Sequence, residues 1–71
     1  MEILVFRTGV ESTEHVENIA PHLNSITGIY KWSFDLDDHE KILRVEAAGI
    51  SPRSIEKTLA GMSYYCEELE D

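Results

Sequence analysis

Two stretches of alternation constrain this chain more than any other feature. From Ile29 to Leu36, Tyr30, Trp32, Phe34 and Leu36 alternate with Lys31, Ser33 and Asp35. From Lys41 to Ala47, Leu43, Val45 and Ala47 alternate with Ile42, Arg44 and Glu46. Side chains on a strand point to opposite faces in turn, so each stretch reads as a half-buried strand. Only the polar turn Asp37-Asp38-His39-Glu40 separates them. So short a connection closes an antiparallel hairpin.

On either side of this hairpin the period changes to that of a helix. Val16, Ile19, Leu23 and Ile26 recur at spacings of three and four. Ser12 or Thr13 can cap that helix, and Glu14 and Glu17 suit its positive end. Pro21 interrupts the stripe, and its missing N–H and ring clash predict a kink or an early end. Thr27-Gly28 closes the segment. Beyond the hairpin, Ser51-Pro52 supplies a cap and a proline at the first helical position. Ile55, Leu59 and Met62 make the second stripe. The outer segments, Glu2 to Thr8 and Tyr64 to Leu69, are short and apolar enough to be strands. On the first, Leu4 and Phe6 are expected to face the core, and Trp32 and Phe34 to lie beneath the helices. The chain ends in an acidic run, Glu67 to Asp71.

The order is β-α-β-β-α-β, an α+β chain of the ferredoxin-like kind. Right-handed crossovers place both helices on one face of an antiparallel sheet ordered 4-1-3-2. The 71 residues form one domain, 1–71. Three connections then meet at one end: the turn after the first strand, the hairpin at Asp37 to Glu40, and the turn at Ser63.

With the elements placed, the residues resemble the heavy-metal-associated domains of the copper-chaperone kind. That family carries G-M-x-C-x-x-C-V between its first strand and first helix. Here Gly9-Val10-Glu11-Ser12-Thr13-Glu14-His15-Val16 fills the loop, and Ile19, Leu23, Ile26, Gly28 and Ile29 follow at the family's spacings. The second helix resembles S-P-x-x-I…L…A-G-Y-x-A, through Ser51, Pro52, Ile55, Leu59, Met62, Ser63, Tyr64 and Cys66. The resemblance covers essentially the whole chain. It implies a scaffold that binds and passes copper(I) or zinc through two thiolates. Those thiolates are missing: Ser12 stands at the first cysteine and His15 at the second, and Ser63 replaces a glycine. Soft ions want sulfur, and a serine hydroxyl is a hard, protonated oxygen. The expectation is a degenerate, metallochaperone-like domain with the soft-metal site lost.

Of the remaining candidates, His15 offers an imidazole nitrogen. His39 lies in the hairpin turn predicted at the same end, among Asp37, Asp38 and Glu40. These form the candidate metal set, a loose N/O site for zinc, nickel or copper(II), against the plainer reading of a helix-start histidine and a solvated acidic turn. His22 follows His15 at roughly 10 Å of helical rise, too far to share an ion. Cys66, the one cysteine, closes no intramolecular disulfide and reads as structural. No resident cofactor is expected beyond such a weakly held divalent ion. No nucleophile–base pair or phosphate loop is recognisable, so no enzymatic activity is expected.

Fourteen acidic residues against six basic ones give a net charge of −8. That charge repels phosphate backbones and anionic lipid, and favours a basic protein partner or a cation. The expected partner surface is Ser12, Thr13, Asp37, Asp38 and Tyr64, on a monomer. The competing expectation is a non-metal interaction or regulatory domain using its acidic surface or edge strands. No apolar run approaches the roughly 18 residues that span a bilayer, and Met1 leads straight into strand-like sequence. A cytoplasmic protein is expected.

Overall fold

A computed structural model describes residues 1–69, so Glu70 and Asp71 of the acidic end lie outside the described residues. The elements are β1 (Glu2–Thr8), α1 (Thr13–Asn24), β2 (Ile29–Asp35), β3 (Ile42–Ala47), α2 (Pro52–Gly61) and β4 (Cys66–Glu68). The sheet is antiparallel and ordered β2-β3-β1-β4, the expected ferredoxin-like arrangement. Register follows the alternation: Leu4 pairs with Val45, Phe6 with Leu43, and Phe34 with Leu43. Leu4, Phe6, Leu43, Val45 and Ala47 face the helices, which return Ile19, Leu23, Ile55 and Leu59 to the same core.

Three expectations are corrected. Pro21 does not end α1, which runs on to Asn24. Its exposed ring removes one helical hydrogen bond, but Ile19 and Leu23 on either side are fully buried. A helix-interior proline costs roughly 3 kcal/mol, whereas burying two such side chains contributes about 3–6 kcal/mol. Tyr30 does not share a face with Trp32. A bulge between Ile29 and Lys31 inserts one residue, turning Ile29 inward and leaving Tyr30 68% exposed. The last strand is shorter than the span from Tyr64 to Leu69, because Tyr64 is still engaged in closing α2.

Trp32 and Phe34 pack edge-on at 5.9 Å but stay half-buried, because β2 is an edge strand. The Trp32 indole donates to Asn24 Oδ1 at 2.8 Å, tying β2 to the end of α1. Gly28, between them, has φ 104° and its carbonyl accepts from Ala48 N. A Cβ there would lie 2.7 Å from the Ala48 carbonyl oxygen, so only glycine fits.

The end of α2 forms a Schellman closure. Ser63 N donates to Ala60 O and Tyr64 N to Leu59 O, both at 2.9 Å. Ser63 carries φ 71°, as the family register requires of its glycine position. Serine is strained in that region, and glycine is not. Ser63→Gly is therefore expected to be neutral or stabilising by up to about 1 kcal/mol in urea unfolding. A clear loss of stability would contradict this account of the turn.

Candidate functional site

The three connections do meet at one end, and Thr8 joins them. Thr8 is the one buried polar residue among the described residues. Its hydroxyl donates to Lys41 O at 2.6 Å and accepts from Val10 N at 3.2 Å. Its backbone N–H reaches Glu40 O and Lys41 O, and Gly9 N reaches Tyr65 O at 3.0 Å. Val10 is fully buried. The loop after β1 is thus held to the hairpin on one side and to the approach of β4 on the other.

From that anchored loop the chain enters α1 through Ser12. Its extended backbone and its side chain, which accepts from His15 N at 3.2 Å, make it the N-cap. His15 is half-buried. Its ring lies 5.3 Å from that of Tyr64, tilted by 54°. Its Nδ1 accepts from Glu11 N at 3.3 Å. A nitrogen that accepts a backbone N–H carries no proton of its own and is occupied. Thr13, the first helical residue, is exposed.

The hairpin organises itself separately. Asp38 Oδ1 accepts from Glu40 N at 2.8 Å, and Asp35 Oδ1 from Asp37 N at 3.2 Å. Lys41 closes the turn at φ 53°, with Nζ donating to Leu36 O. The His39 side chain is 95% exposed, and its nearest acidic contact is Asp38, 3.9 Å from Nδ1. His22 is exposed in the last turn of α1.

The structure therefore brings Ser12, His15 and Tyr64 together and leaves His39 pointing into solvent. Among the described residues, no group of three or more His, Cys, Asp or Glu side chains is arranged to hold a metal ion. The loose N/O set expected of His15, His39 and the acidic turn is not assembled, because His15 and Asp38 bond to their own loop backbones while the His39 side chain lies in solvent. Thr8 and Val10 are the residues that sequence reasoning missed. The only signal was that Thr8 continues the Leu4, Phe6 parity onto the core face.

The class these features define is a ferredoxin-like βαββαβ domain with a polar, thiol-free loop where α1 begins. No protein-family model matches the chain, and no curated protein does. Among solved structures it is similar to one described as "Crosstalk between Cu(I) and Zn(II) homeostasis". The two align over 97% of this chain and 100% of the other, with a TM-score of 0.83 and 13% sequence identity. At that identity the likeness is one of fold. No helix among the described residues is long and apolar enough to cross a membrane.

Cys66, the sole thiol, lies on β4 opposite Thr8 and packs against the core. Burial first, and then the carboxylate of Glu56, push its pKa up from the ordinary 9.0 to about 12. The folded state thus holds the thiol proton more tightly than the unfolded chain does. The associated stability is complete below pH 9.0 and is lost as pH rises toward about 12. At pH 8 the native thiol should react with a disulfide reagent at least ~100-fold more slowly than in the urea-unfolded chain. Equal rates in the two states would place the thiol outside the environment described.

Proposed function

We propose that this chain is a degenerate heavy-metal-associated domain. It is a metallochaperone-like scaffold that has lost its soft-metal site and works by protein contact at the loop end. One observation carries the reading. The side chains at the two cysteine positions of the resembled motif serve the loop's own backbone, Ser12 as N-cap and His15 as acceptor for Glu11 N. The likeness in fold to a structure concerned with Cu(I) and Zn(II) homeostasis supports the scaffold half of the reading. The contact surface is Ser12, Thr13, Asp37, Asp38 and Tyr64. With Glu11, Glu14 and Glu40 beside it in a chain of net charge −8, it suits a basic partner. A weakly bound zinc, nickel or copper(II) ion is the lesser option, through the ring nitrogen of His15 that Glu11 leaves open.

An alternative is a non-metal regulatory domain that pairs through its sheet edges. The β4 edge argues against that route on its side. Glu68 N, on the strand's outer edge, is already taken by Glu56 Oε2 at 2.8 Å, so an added strand would have to displace a charged acceptor.

Copper(I) competition against a strong chelator tests the reading. The natural chain should not compete. Ser12→Cys/His15→Cys should bind at least ~1,000-fold more tightly, and each single change far less, because one thiolate cannot give two-sulfur coordination. Tight one-to-one binding by the natural chain would refute the loss of the site. A folded double variant with no gain would show that the loop does not follow the path of the metal-binding family.

A further inference from the structure

The face of the sheet turned away from the helices carries a hollow of about 440 Å³, lined by Val5, Ser33, Asp35, Asp38, Ile42 and Arg44. Register explains how it forms. Val5, Arg44 and Ser33 lie in one row across β1, β3 and β2, and Ile42 and Asp35 face each other in the next. Asp38 reaches the same hollow from the hairpin turn. Arg44 and Asp35 are diagonal neighbours, close enough for a long side chain to bridge, yet the guanidinium makes no ion pair with either aspartate. The ion pairs formed among the described residues are Arg7–Glu40, Arg7–Glu67 and His39–Asp38; neither Arg44 nor Asp35 takes part in one.

Opposite charges held apart over an aliphatic floor select their ligand. A simple anion at Arg44 would meet Asp35, Asp38 and the overall charge of −8. A simple cation at the aspartates would meet Arg44. A molecule carrying both charges satisfies both walls, since a carboxylate pairs with guanidinium through two parallel hydrogen bonds and an ammonium with Asp. Asp35 and Asp38 each lend one oxygen to the hairpin backbone, and the other oxygen of each is uncommitted. Val5 and Ile42 provide contact for an apolar side chain.

We propose that this hollow binds a small zwitterion, an aliphatic amino acid, with its carboxylate at Arg44 and its ammonium at Asp35 and Asp38. The site lies outside the Ser12–His15 loop, shares only Asp38 with the contact surface proposed above, and does not depend on the protein-contact reading.

Amide NMR of the full chain tests it, with L-leucine, L-isoleucine and L-valine as probes. At least one should give saturable shifts at Val5, Ser33, Ile42 and Arg44 with a ~millimolar Kd. The single-charge relatives of leucine, 4-methylpentanoate and 3-methylbutylamine, should bind at least ~10-fold more weakly. Arg44→Gln and Asp35→Asn, with dispersed spectra to show that they remain folded, should each lose at least ~10-fold. The asparagine keeps the oxygen that accepts from Asp37 N, so its loss reports charge rather than turn geometry. The proposal is overturned if none of the three amino acids saturates by ~50 mM, if either single-charge relative binds as tightly as leucine, or if Arg44→Gln binds unchanged.

Discussion

The buried hydroxyl of Thr8, donating to Lys41 O and accepting from Val10 N, sits where three separate pieces of chain converge. A hydrogen bond of this kind contributes only about 1 kcal/mol net, but leaving its partners buried and unmet costs about 1–3 kcal/mol for each group. The geometry is therefore specified more strongly than the net energy suggests. With Thr8 in place, the loop leaves β1 at a fixed angle, Val10 enters the core, and Ser12 arrives where it can cap α1. His15 then falls one turn into the helix, against Tyr64.

That dependence gives the loop end contacts of its own that need no metal. In the resembled family two thiolates and an ion would cross-link this loop. Here the cap at Ser12, the Glu11 N–His15 Nδ1 bond and the His15–Tyr64 contact link the same positions with weaker interactions. None depends on an ion, so scaffold and metal chemistry are separable in this chain. What remains at the surface is a polar, acidic rim around a half-buried imidazole. Under the proposed function, such a rim would recognise another molecule by charge and shape rather than by coordination.

Much of the fold was legible because local signals and long-range packing agree. The alternation from Lys41 to Ala47 and the Ser51-Pro52 helix start each rest on residues whose intrinsic preference matches their place, whereas the Ser63 turn was legible only through the family resemblance, since serine is strained at φ 71°. The misreadings came where packing overrode a local rule. Pro21 sits inside α1 because Ile19 and Leu23 hold the helix on both sides of it. Tyr30 leaves its expected face because one inserted residue in an edge strand reverses side-chain parity, and no composition signal announces a bulge. At the loop end, Ser12 and Tyr64 could be located through the family resemblance. The isolation of His39 could not, because it depends on the hairpin's private hydrogen bonds. The Arg44 hollow was hidden for a similar reason: its walls come from three strands and a turn, and only the cross-strand register brings them together.

The central claim is that His15 serves the loop and not an ion, and the imidazole nitrogens report on it directly. Long-range proton–nitrogen NMR of the uniformly labelled chain, recorded near pH 7.5 before and after one equivalent of zinc, distinguishes a ring that accepts at Nδ1 from one that coordinates. The account predicts that His15 Nδ1 keeps the signature of an unprotonated acceptor, and that neither His15 nor His39 shifts on adding zinc. Saturable, concerted shifts of both rings at one equivalent would mean that the loop end assembles a metal site, and would contradict it.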